Sequence, residues 1–175
     1  MINRRVLGLN LGALSLALVA PQVAQARKPW PWPNGRQAAV SLTYDDGLNG
    51  QLDIGAGQLE AHGFRGTFFL TEENMEARLD DWVALERRGH EIGDHTMTHP
   101  CELRPYTPAS FSKKQLKPME SFLDAHFQTP QPRLYAYPCG ATELGRKGGV
   151  NRRQSSYVGL LRRNFLSARI VDGGP

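Results

Sequence analysis

What most constrains this chain is a repeated alternation of short apolar runs with longer amphipathic stretches. Residues 38–44, 66–71, 90–95, 134–137 and 167–171 are apolar or β-rich and are bounded by turn residues, so they read as five strands. Residues 51–62, 75–88, 108–127 and 155–165 carry apolar side chains at helical spacing. Gly63 and Gly89 are natural stops for the first two helices. Thr107 can cap the third, Pro108 suits its first turn, and Pro118 should kink or interrupt it. Strands alternating with helices imply an α/β fold with a parallel sheet and crossover helices. In such folds the carboxyl ends of the strands gather at one end, where ligand sites form.

Two of these strand ends carry chemistry. The first run, expected to be a buried strand, closes on Ser41-Leu42-Thr43-Tyr44-Asp45-Asp46-Gly47. Neighbouring side chains on a strand point to opposite faces. At a distorted strand end followed by glycine, however, two carboxylates can be aimed into one cleft, one to bind a metal and one to handle protons. Taken alone, Asp-Asp-Gly is also an ordinary solvated turn.

The second strand end carries His95-Thr96-Met97-Thr98-His99. On a helical turn, imidazoles four residues apart share a face and can reach one ion. Two histidines and one carboxylate leave positions open for water and substrate, as catalytic zinc requires. No glutamate lies between the histidines, so the zinc-protease pattern does not apply and the base must come from elsewhere. The same ligand set also suits a non-haem iron oxygenase, although a second carboxylate is superfluous there. His62 and His126 lie near helix ends, and His90 begins a strand; all three read as structural or surface residues.

Residues 1–26 have a basic start, an apolar run and a small-x-small site at Ala24-Gln25-Ala26, the pattern of a secretory signal, with an uncleaved anchor as the alternative. Cleavage would leave 175 − 26 = 149 residues, and losing Arg4 and Arg5 would lower the formal charge from +4 to +2. A near-neutral domain gives no reason to expect a nucleic-acid partner. No other stretch is apolar enough to span a bilayer. Residues 27–37 form a proline-rich lead-in. Its Trp30 and Trp32 can stack on sugar rings or pack a terminus onto the surface. Residues 140–153 read as a loop. Arg152, Arg153, Arg162 and Arg163 read as a solvated basic face, with an anion site as the alternative.

Together the motifs resemble those of the polysaccharide deacetylases of the nodulation-protein-B homology domain, carbohydrate esterase family 4. The first motif is residues 41–47, with Tyr44 where Phe is usual. The second is His90-Glu91-Ile92-Gly93-Asp94-His95-Thr96-Met97-Thr98-His99, and Gly63-Phe64-Arg65-Gly66-Thr67-Phe68-Phe69-Leu70 resembles the strand between them. The resemblance covers roughly residues 31–140 and implies a distorted (β/α) barrel, with a domain over 38–175. It further implies metal-dependent removal of N- or O-acetyl groups from an acetylated polysaccharide or oligosaccharide outside the cytoplasm, secreted or periplasmic.

Carried over by position, Asp45 is the general base, and Asp46, His95 and His99 hold a divalent metal, Zn2+ or alternatively Co2+. Tyr135-Ala136-Tyr137-Pro138-Cys139-Gly140 resembles the third motif and places Tyr137 and Cys139 as substrate or oxyanion contacts. Ala136 stands where an arginine usually braces the base, which leaves Arg169 and Arg133 as candidates for that role. Cys101 and Cys139 fall in motifs that line one cleft, and the resemblance implies a disulfide between them. Family members usually continue through further strands, one carrying a general-acid histidine. This chain stops at Gly173-Gly174-Pro175, so an incomplete barrel is expected, with a catalytically impaired carbohydrate-binding relic as the alternative.

Overall fold

The computed structural model describes residues 32–145 and 152–171, with only the backbone over 152–156. The expected secretory signal, Trp30 and the middle of the expected 140–153 loop lie outside these residues. The chain divides after Ala39 into two units. In the first, Pro33–Gly35 form a single 3-10 turn after Trp32, which is 37% exposed. The second holds everything else.

The second unit is one five-stranded parallel sheet in sequence order: β1 (Thr43–Asp45), β2 (Thr67–Leu70), β3 (Glu91–Asp94), β4 (Leu134–Ala136) and β5 (Ser167–Arg169). The helices are α1 (Ala56–Ala61), α2 (Glu72–Met75), α3 (Leu79–Arg87), α4 (Pro108–Phe111), α5 (Lys117–His126) and α6 (Arg152–Asn164). Each connection between parallel strands must return along a helix, and the sheet curls into half of a (β/α) barrel.

Two expectations shift here. The first strand was expected to be buried over 38–44, but it begins at Thr43; all three of its residues are half-buried, and Val40 is 84% exposed. The reason is its place at the sheet edge, where β2 covers one side only. Conversely, the weakly apolar third run is a central strand, buried from Ile92 onward between β2 and β4. Pro118 is accommodated by a wide turn. A π-helical stretch, Ser112–Leu116, precedes it, and Pro118 then sits in the first turn of α5, where a missing N–H costs least. Thr107 caps α4 in a reciprocal capping box: its Oγ1 accepts from Ser110 N at 3.2 Å, and Ser110 Oγ accepts from Thr107 N at 2.9 Å.

Strand alternation sorts the sheet into two faces. Tyr44, Phe68, Leu70, Ile92 and Tyr135 point outward to the helices. Phe68, Leu70 and Ile92 pack there against Trp82, Leu85, Met119 and Leu123, and Tyr44 stacks on Phe68 at 4.9 Å. Tyr135 packs with Tyr157, Leu161 and Phe165 in a second cluster. The opposite parity places Asp45, Phe69, Gly93, Ala136 and Arg169 on the inner face. Gly93 is required there: a Cβ at this position would stand 2.5 Å from Phe69 Cδ1 and 3.1 Å from the Leu134 carbonyl oxygen.

Candidate metal centre and comparison with known proteins

The inner face and the loops after β1 and β3 build the site. Asp45 is the last residue of β1, and Asp46 follows with a positive φ of 76°, then Gly47 at 69°. This left-handed pair turns the chain at once, so that Asp46 does not continue the strand's alternation. After β3, His95 donates its backbone N–H to the Leu70 carbonyl at 3.0 Å and is 1% exposed. Thr96 and His99 have φ values of 72° and 48°. The two histidines therefore come together on an irregular loop and not on the helical turn expected from their spacing. That loop is held by side chains. Thr96 N donates to Asp94 Oδ1 at 2.6 Å, His99 N to Thr96 Oγ1 at 3.1 Å, and Thr98 N to Gln115 Oε1 at 3.1 Å.

These two turns bring Asp46, His95 and His99 together. Asp46 Oδ1 lies 3.3 Å from His95 Nε2 and 3.3 Å from His99 Nε2, and the three ligand atoms fall within 4.8 Å of one another. With metal–ligand bonds of about 2.0–2.1 Å, the edges of a tetrahedral site are about 3.3–3.4 Å, so the trio fits a zinc-sized ion. Asp46 and His99 keep 38% and 31% of their side-chain surface in solvent, which leaves one side of the group open.

His95 Nδ1 lies 2.9 Å from the Ala136 carbonyl oxygen. An acceptor at that distance requires the proton on Nδ1 and leaves Nε2 with a free lone pair toward Asp46. Burial pushes the His95 imidazole below its ordinary range, with the Ala136 bond and the charges of Asp45 and Asp46 opposing. The neutral form that a metal needs is thereby favoured.

Of the two candidate arginines, Arg169 is the one that stands at Asp45. From β5 its guanidinium reaches across the inner face, lies over the Phe69 ring at 4.7 Å and ion-pairs with the Asp45 carboxylate. It stands beside Ala136 in the strand register, and the small side chain there leaves it room. Arg133, the other candidate, stands elsewhere. Its parity on the strand matches Tyr135, so it points outward; it is 2% exposed and bonds to Glu120 Oε2 and Asp124 Oδ1, each at 2.8 Å. It offsets an acidic cluster in which Asp94 is pushed well above the usual carboxylate range by burial, with the Glu120 charge adding to the effect.

Tyr137 is packed into the core. Its backbone N–H donates to the Arg169 carbonyl at 2.9 Å, and its ring packs edge-on against Tyr135 and Tyr157 at 5.5 and 5.0 Å. Cys139, in the 3-10 turn Pro138–Gly140 with φ 53°, forms a disulfide with Cys101 across a Cα–Cα distance of 5.5 Å. The bond ties the third-motif turn to the loop carrying His99, and Cys101 Sγ lies 3.7 Å from His99 Nδ1.

The other three histidines stand elsewhere. His62 caps α1, and His126 ends α5 against Phe122. His90 is buried, with Nδ1 accepting from Gly66 N at 3.1 Å and Nε2 3.0 Å from Glu60 Oε1. Sequence reasoning missed the side chains that hold the aspartate backbone. Gln51 Nε2 donates to the Asp45 carbonyl, while Asn74 Nδ2 and Thr71 Oγ1 donate to that of Asp46 at 2.8 and 3.3 Å. Nothing in the sequence marks such long-range bonds to backbone. Among the described residues no helix is long and apolar enough to cross a membrane.

Known proteins resemble this chain in sequence and in fold. A peptidoglycan-N-acetylglucosamine deacetylase of Bacillus cereus is 38% identical over 69 residues, which are 37% of this chain and 24% of that protein. Among solved structures, the peptidoglycan N-acetylglucosamine deacetylase Bc1960 superposes with a TM-score of 0.56 at 25% identity, over 73% of this chain and 54% of the other. A family 4 carbohydrate esterase pseudoenzyme from Bacillus anthracis superposes with a TM-score of 0.57 at 19% identity, over 73% and 41%. The chain thus spans about half or less of the length of these relatives. The sequence profile of the polysaccharide deacetylases matches residues 33–147, both strand-end motifs included, and the chain belongs to the polysaccharide deacetylase family.

Proposed function

We propose that the chain is an exported, metal-dependent deacetylase that removes N- or O-acetyl groups from an acetylated polysaccharide or oligosaccharide. The observation that carries this reading is the pairing of two separate units: the Asp46–His95–His99 ligand trio and, beside it, Asp45 ion-paired to Arg169. A two-histidine, one-carboxylate iron oxygenase has no task for that second, braced carboxylate.

In this reading Asp46, His95 and His99 hold the divalent cation, Zn2+ or Co2+. When bound, it supplies a water acidic enough to ionise near neutral pH and polarises the acetyl carbonyl. Asp45 takes the proton of the attacking water, and Arg169, ion-paired to it, fixes the direction of its carboxylate. The Cys139 N–H is the donor proposed for the oxygen that gains negative charge, since the Tyr137 N–H is committed to Arg169. The open side of the trio is where the sugar's acetyl group would enter.

The test is acetate release from N-acetylated oligosaccharides, acetylated peptidoglycan and acetylated xylan, with metal, with chelator, and after metal is restored. Release that chelator abolishes and Zn2+ or Co2+ restores is the expected outcome. No release on any of these substrates under either metal overturns the catalytic reading. A second reading, glycan binding without turnover, is favoured by one observation: among the described residues no third imidazole stands at the site to protonate a leaving amine, since His62, His90 and His126 are placed elsewhere. Glycan binding that persists in Asp45→Asn, with no turnover in the parent, would establish it.

A further inference from the structure

Two adjacent carboxylates serve one site here because the backbone of Asp46 is forced out of the strand path, and that conformation is one an aspartate rarely adopts. Asp46 has a φ of 76° without being glycine. Its carbonyl accepts two side-chain hydrogen bonds from the far side of β2, Asn74 Nδ2 at 2.8 Å and Thr71 Oγ1 at 3.3 Å. Thr71 occupies the N-cap position of α2 with an extended backbone, φ −105° and ψ 146°, the place where a threonine ordinarily bonds the helix's own first N–H groups. It makes no such side-chain cap bond; its hydroxyl is turned to Asp46 instead. The helix start forgoes a local stabilising contact, and the contact made in its place holds the peptide that aims a metal-ligand carboxylate.

We infer that Asn74 and Thr71 are positioning residues that set the metal affinity of the site by clamping the Asp46–Gly47 peptide. This rests on the reading of Asp46, His95 and His99 as metal ligands. Without the clamp, the peptide relaxes toward ordinary backbone and carries Asp46 Oδ1 away from the two Nε2 atoms it now meets at 3.3 Å. Asn74 is exposed, so removing its amide disturbs little packing. Thr71 is 1% exposed and is replaced without change of shape by valine.

The test is Zn2+ and Co2+ titration of Asn74→Ala, Asn74→Asp, Thr71→Val and the double variant Asn74→Ala with Thr71→Val, alongside thermal melting of each metal-free protein. Asn74→Asp keeps the shape and replaces a donor with an acceptor facing a carbonyl. Each single variant should raise the metal dissociation constant by roughly three- to tenfold, the worth of one hydrogen bond, and the double variant by more. The metal-free Asn74 variants should melt as the parent does, and acetate release at saturating metal should keep most of its kcat. Unchanged dissociation constants in both Asn74 variants overturn the inference while leaving the metal site intact. So does a metal-free Asn74 variant whose melting point falls in proportion to its affinity, because the role would then be structural only. A parent protein that binds neither ion overturns the ligand assignment and this inference together. A parent that binds metal tightly yet releases no acetate leaves the inference standing and sinks only the catalytic reading.

Discussion

At the residue scale, the site depends on which face of a strand a side chain occupies. Arg169 reaches Asp45 because it shares the inner face, whereas Arg133 is spent on Glu120 and Asp124 on the outer one. Two variants separate these roles. Arg169→Met should lower kcat/KM for acetate release by at least tenfold, with metal affinity and melting close to the parent's, since in the proposed mechanism its partner Asp45 is the base and not a ligand. Arg133→Met should leave kcat/KM of the folded protein unchanged but cost about 3–5 kcal/mol in urea unfolding, because buried carboxylates lose their counter-charge. Asp45→Asn should reduce kcat by about 10²–10⁴-fold while still binding one metal ion, which equilibrium dialysis would show.

At the scale of elements, the inner row of the sheet is graded in size. Phe69 lies between Asp45 and Gly93 in the register, and Arg169 rests on its ring. Only a residue without a side chain fits beside that ring, so Gly93→Ala should destabilise the protein by about 1–3 kcal/mol and displace the Phe69–Arg169 stack. Such a loss should appear both in denaturant midpoint and in activity, because the displaced guanidinium is the one that braces Asp45. On the outer face Trp82→Ala should cost about 3–5 kcal/mol, read as a lower urea midpoint, since the buried indole packs against Phe68.

At the scale of the whole molecule, one cross-link ties distant segments together, and a metal bound as proposed would add a second. The disulfide spans a sequence separation of 38 and joins the His99 loop to the Pro138–Gly140 turn. The entropy of closing a loop of that length gives an upper bound of about 4 kcal/mol, so Cys101→Ser with Cys139→Ser should melt well below the oxidised parent. The metal is the second link. It would join the loops after β1 and β3, and at a free concentration one hundred times its dissociation constant it should stabilise the fold by about 2.7 kcal/mol, measurable as a chelator-dependent shift in melting.

The amino-acid sequence determined the order of strands and helices, because periodicity and turn residues are local properties. It also determined the identity of the metal-ligand candidates, because the two strand-end motifs are compact. What it could not determine was anything that depends on how distant segments meet. The edge position of β1 decided that its start is exposed, and the central position of β3 decided that a weakly apolar run is buried from Ile92 onward. Strand parity, visible only once register is known, chose Arg169 over Arg133 and turned Tyr137 into the core. The spacing of His95 and His99 predicted a shared face, but the loop that achieves it has two left-handed residues, Thr96 and His99, held by bonds to Asp94 and Gln115. The Asp45–Asp46 pair makes the same point. Its chemistry was legible in two adjacent letters, whereas its aim is fixed by Gln51, Thr71 and Asn74, whose hydrogen bonds to the aspartate carbonyls exist only in the folded chain.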